Sequence, residues 1–149
     1  GAAMLRPDGT PVIGLTLRHD RLDKFWFTLF HEVMHVVRHL MSTHANAIDH
    51  SRYFDDLEVS PNVSPLEEEA DTAAREALVP LADWEKSAVQ FVVAPATVSQ
   101  LARSIGVADA VVAGRVRFER RNYRLLSSMV GGGKVRSAFP EVRWPSENQ

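Results

Sequence analysis

The strongest periodic signal in the chain lies between Leu22 and Met41. Leu22, Phe25, Trp26, Leu29, Phe30, Val33, Val36, Val37 and Leu40 recur at three- and four-residue steps, the period of an α-helix. Their arc is wide, which predicts a helix buried on most of its sides. Ahead of it, residues 11–18 alternate weakly and are rich in branched side chains, so a short strand is expected there. Behind it, residues 42–64 are polar and contain Asn46, Pro61 and Asn62. A connection that long is usually functional or mobile. Ser64-Pro65-Leu66-Glu67 then opens a second helix, with Ser at the cap, Pro in the first turn and Glu three residues on. That helix should stop at about Leu78, ahead of Pro80.

The remainder reads as a shorter helix over residues 82–90, an extended piece at 91–93, and two helices over 97–104 and 108–120 around Gly106. A turn and short closing element follow at 131–139, with residues 146–149 frayed. The pattern as a whole predicts an α+β protein, mainly helical, with a small sheet packed on the first long helix.

At 149 residues the chain is long enough to bury a core without staples. It contains no cysteine, which excludes disulfides, thiolate metal sites and cysteine nucleophiles and fits a cytoplasmic location. No run approaches the ~18 uninterrupted apolar residues of a membrane span, so no membrane partner is expected. Gly1-Ala2-Ala3-Met4 reads as an expression scar, residues 5–93 as the core domain, and residues 94–149 as a helical C-terminal extension packed on it. Net charge is only −2, but it is uneven: residues 49–86 hold eleven acids and three bases, residues 110–145 eight bases and two acids. The basic flank could face a nucleic acid. Yet the helix leading into it opens on Asp109, Ala110, Val111, Val112 and Ala113, where base-reading side chains should stand. Direct nucleic-acid binding is therefore not expected.

The candidate chemistry sits in the middle of the first long helix, at His31-Glu32-Val33-Met34-His35. Two histidines four residues apart leave a helix on one face, so both imidazoles can reach one metal ion. Glu32 lies beside them, placed to take a proton from a water activated by that ion rather than to ligate it. The metal expected is zinc, Zn2+, which needs a third protein ligand. Met41 stands where a third histidine would fall in the longer HExxHxxGxxH pattern, so that arrangement is excluded. His39 continues the four-residue stripe and is an alternative ligand, but lies a further turn along and reads rather as a partly exposed histidine near the rim; His44 and His50 read as surface residues.

The third ligand is sought in the second helix, whose alanines (Ala70, Ala73, Ala74, Ala77) permit close approach. Glu67 is favoured because Asp71, four residues on, shares its face and can accept the second ring N–H of a ligand histidine. Glu68 and Glu69 remain the alternatives. Val12, Ile13 and Leu15 of the strand are candidates for pairing with an extended substrate segment.

FWFTLFHEVMH (residues 25–35) followed by EEEADTAAREALVP (residues 67–80) resembles the ImmA/IrrE family of metallo-endopeptidases. The likeness covers about residues 12–80, and residues 112–124 resemble a tail found on members joined to helix-turn-helix regulators. The resemblance implies a zincin-like fold, His31, His35 and Glu67 as zinc ligands, and Glu32 as general base. It also implies a protein partner, a repressor or a toxin, that is cleaved or at least bound. Phe30 and Met34 replace smaller residues of the pattern, and both are expected to narrow the substrate channel. Asp55, Asp56 and Glu58 would add an acidic rim favouring basic segments. Two readings follow: an endopeptidase acting on one specific protein, or a regulatory, antitoxin-type domain that keeps the metal site with little cleavage.

Overall fold

The computed structural model describes residues 1–41 and 64–144. Among them are five α-helices and one two-stranded sheet, an α+β arrangement. The sheet is a hairpin turned by Pro7, Asp8 and Gly9. Gly9 takes φ +82°, a conformation that a residue with a Cβ seldom adopts. Asp8 Oδ1 accepts the Thr10 N–H at 2.9 Å, and those hydrogen bonds hold the Asp8 carboxyl below the usual carboxylate range. This turn joins β1 (Ala2–Leu5) to β2 (Pro11–Gly14), antiparallel, with Ala3 opposite Ile13 and Met4 opposite Val12.

Residues 2–4 lie in a strand, and one expectation changes: the strand expected over residues 11–18 ends at Gly14. Past Gly14 the backbone is engaged elsewhere: Leu17 O accepts from Asp20 N at 3.1 Å and from Arg136 Nε at 3.2 Å.

Helix α1 (Leu22–Met34) begins without a side-chain cap. Its orphan N–H groups are met by the far end of the chain instead, Leu22 N bonding Gly131 O at 3.3 Å and Asp23 N bonding Val130 O at 3.4 Å. The expected helix continues beyond Met34 as a π turn (His35–Leu40), in which Met41 N–H reaches back five residues to Val36 O. Helix α2 (Pro65–Leu78) starts at the expected cap, Ser64 Oγ accepting from Leu66 N at 3.4 Å. Ala70, Ala73, Ala74 and Leu78 are its buried face, packed against α1.

Helix α3 (Leu81–Lys86) passes into a 3-10 turn, Ala88–Gln90. Residues 91–93, expected to be extended, fold back instead, because Ala88 O accepts both Phe91 N and Val92 N. Helices α4 (Pro95–Ile105) and α5 (Asp109–Glu119) flank Gly106, whose φ of +75° ends α4. Arg136–Ala138, a 3-10 turn, closes the described chain. One apolar cluster joins Leu78, Val79 and Trp84 to Val98, Leu101, Val112 and Val116, so the core runs through both sides of position 93. Trp26, Phe27 and Phe30 of α1 pack on it.

Candidate metal centre

His31 and His35, four residues apart, project toward α2, the His31 ring tilted against that of Phe27 at 6.2 Å between centroids. The small residues Ala70 and Ala74, with no exposed surface, let α2 approach until Glu67, in its first turn, stands between the two imidazoles. His31 Nε2 lies 3.1 Å from Glu67 Oε2, and His35 Nε2 lies 3.1 Å from Glu67 Oε1. The two Nε2 atoms are 3.0 Å apart. His31, His35 and Glu67 form a group that can hold a metal ion.

The donor set suits such an ion. Ligands about 2.0–2.1 Å from a tetrahedral centre stand about 3.3 Å from one another. The two nitrogens, and each nitrogen with the Glu67 oxygen that faces it, stand within a few tenths of an ångström of that figure. Two imidazole nitrogens and one carboxylate, converging with their lone pairs, form a site whose atoms repel unless a proton or a cation sits among them. Burial pushes the His35 imidazole below its usual range, against the pull of the Glu67 carboxylate, and neighbouring His31 and His39 push it the same way. The neutral ring is the form that ligates.

Asp71 lies one turn on from Glu67. Its Oδ1 is 2.8 Å from His31 Nδ1, and its Oδ2 is 3.8 Å from Arg75 Nη1. With Nε2 given to a cation, His31 Nδ1–H donates to Asp71, which fixes the ring's tautomer and tilt. Glu67 does not turn back to close a capping box with Ser64; its side chain is committed to the histidines. The alternatives separate as well. Glu68 is exposed and outside the group, while Glu69 accepts from Arg38 Nη1 at 2.8 Å and lies 3.4 Å from His39 Nε2. The Arg38 hydrogen bond, and then that of His39, hold the Glu69 carboxyl below its usual range.

Glu32 is 6% exposed. Among the described residues its one charged neighbour within 4 Å is the amino group of Gly1, at 3.8 Å. Gly1, just ahead of β1, comes so close to α1 that a Cβ there would collide with Glu32 and Thr28. Val12 and Ile13 are half-buried in β2, and Leu15 lies just past its end. None of the hydrogen bonds or ion pairs of the centre, among the described residues, involves these three.

Phe30 does not narrow a channel over the site as expected. Its ring packs into the core beside Trp26, 6.4 Å between centroids, because that side of α1 faces the apolar cluster. His39 is not at an exposed rim either: it is 5% exposed, with its Nδ1 2.9 Å from His35 Nδ1. Its four-residue spacing from His35 was the signal available for that contact. His44, His50, Asp55, Asp56 and Glu58 lie outside the described residues. A cavity of about 370 Å³ borders the centre through Phe27 and Asp71, with Arg75, Leu78 and Phe118 among its walls.

No family model, no curated protein and no solved structure matches the chain. Among the described residues no helix is long and apolar enough to cross a membrane.

Proposed function

We propose that this chain is a zinc-dependent endopeptidase of the ImmA/IrrE type with a zincin-like core, acting in the cytoplasm on one specific protein partner such as a repressor or toxin. The observation that carries the reading is the convergence of His31 Nε2, His35 Nε2 and the Glu67 carboxylate: the nitrogens are 3.0 Å apart, and each lies 3.1 Å from a different Glu67 oxygen. The two stretches that bear these residues, FWFTLFHEVMH and EEEADTAAREALVP, are those that resemble the family. His31, His35 and Glu67 would hold the ion. When bound, zinc polarises a substrate carbonyl and makes a water more acidic.

The chain's own residues do the rest. Asp71 holds His31 in the tautomer that presents Nε2. Glu32, adjacent to His31 but outside the ligand group, accepts a proton from the attacking water at its carboxylate and returns it to the departing amine nitrogen. Its burial keeps bulk water from competing for that carboxylate.

The same burial favours a second reading. Gly1, just ahead of β1, lies against Glu32, which suits a domain that captures a partner and cleaves it slowly or not at all. One set of measurements separates the two. Elemental analysis should find stoichiometric zinc in the unaltered protein and in Glu32→Gln, and none in His31→Ala. Incubated with proteins encoded beside its gene, the zinc-loaded chain should cut one of them. Glu32→Gln should bind that protein and cut it about 10²–10⁴-fold more slowly. Full zinc in His31→Ala would overturn the site, and efficient digestion of casein would overturn the specificity. Binding without cleavage would establish the second reading.

A further inference from the structure

His31, His35 and His39 follow one another at four-residue steps, yet the centre uses only the first two as donors. His39 belongs to the π turn and is 5% exposed. An imidazole taken that far from water is costly unless its nitrogens are met. Here one nitrogen faces His35 Nδ1 at 2.9 Å and the other faces Glu69 Oε2 at 3.4 Å.

We infer that His39 is a positioning residue for His35, itself held by Glu69, so that each ligand histidine has its own anchor on α2. The inference rests on the metal-site reading above. The proton inventory leads to it step by step. A cation at His35 Nε2 takes that lone pair, which leaves the ring's proton on Nδ1. His35 Nδ1–H then has to donate, and the atom at 2.9 Å that accepts is His39 Nδ1. An imidazole accepting at Nδ1 carries its own proton on Nε2. That N–H points to Glu69 Oε2, a carboxylate that can only accept.

With the cation at His35 Nε2 the row of donors ends on an anion. The shorter version beside it, His31 Nδ1–H to Asp71 Oδ1 at 2.8 Å, ends on an anion of the same helix. Glu67, Glu69 and Asp71 thus divide the work: one ligates, and two anchor. Arg38 Nη1, 2.8 Å from Glu69 Oε1, keeps that carboxylate facing the π turn.

Cobalt(II) gives a readout independent of turnover, because its visible absorption reports ligand geometry. Affinities for zinc and cobalt would be measured by chelator competition on the unaltered chain and on His39→Ala, His39→Asn, Glu69→Ala and Glu68→Ala. His39→Ala should weaken metal binding about 10–100-fold and shift the cobalt spectrum. His39→Asn keeps an acceptor near the Nδ1 position and should recover most of both. Glu69→Ala should move both in the same direction by a smaller factor, and Glu68→Ala should move neither. Should His39→Ala fail to fold, Glu69→Ala decides, since that side chain is 45% exposed and its loss opens no cavity. Affinity and spectrum unchanged in Glu69→Ala, or in a folded His39→Ala, would overturn the role of His39 while leaving the metal site standing. An unaltered chain that binds neither ion would instead bring down the metal reading itself.

Discussion

His35 meets polar groups at both ring nitrogens: Glu67 and His31 at its Nε2, His39 at its Nδ1. Burial pushes its imidazole below the usual value of about 6.5, and the Glu67 carboxylate only partly offsets that. The folded chain therefore takes a proton there less readily than the unfolded chain does. The resulting stability is complete above about pH 6.5 and is lost as pH falls toward the lower folded-state value. The urea midpoint of the metal-free protein should drop between about pH 7.5 and about pH 5.5, and His35→Gln should flatten the drop. An identical slope in the variant would assign the effect to other groups.

Between elements, the decisive quantity is the distance from α1 to α2. Ala74 has no exposed surface and sits on the face of α2 that meets α1. Ala74→Leu should cost about 1–3 kcal/mol in urea unfolding, the usual penalty for forcing methylenes into a packed core. It should also weaken metal binding, although no donor is touched, because Glu67 would move away from the histidines. Unchanged metal affinity would show that the helices accommodate the extra volume elsewhere. The sequence reveals this helix pair well: period, cap and motif spacing all lie within contiguous residues, from Leu22 to His35 and from Ser64 to Leu78.

Other features depend on partners far along the chain. Ala2-Ala3-Met4-Leu5 has no alternation of apolar and polar residues and no β-branched residue, and its strand is defined by its pairing with β2. The side to which Phe30 turns is set by where the core cluster lies. The buried His39 meets Glu69, 30 residues away. Periodicity states that a face exists; it does not state what meets it.

Across the whole molecule, the C-terminal segment fastens the start of α1. Asp20, at φ +41°, accepts at Oδ1 from Val135 N at 2.9 Å and Arg136 N at 2.8 Å, while Asp20 O accepts from Gly133 N. Asp20→Ala removes the acceptor from two part-buried N–H groups and should destabilise the protein by about 1–3 kcal/mol. Asp20→Asn, which retains an acceptor, should cost less. Equal midpoints for all three proteins in urea would mean that the fastening contributes nothing to global stability.

The donors His31 and Glu67 are 36 residues apart in a chain that has no cysteine. An ion held between them would cross-link the chain across that span, and reversibly. A disulfide persists in the unfolded chain, whereas a metal bridge is released on unfolding, so its contribution scales with the free ion. At a free concentration 1,000 times Kd the gain is about 4.1 kcal/mol, and at 100 times Kd about 2.7 kcal/mol. Chelation should lower the melting temperature, and added zinc should restore it in a concentration-dependent way until the site is saturated. The lifetime of the protein against cellular proteases would then follow the zinc supply, making its abundance a measure of available metal.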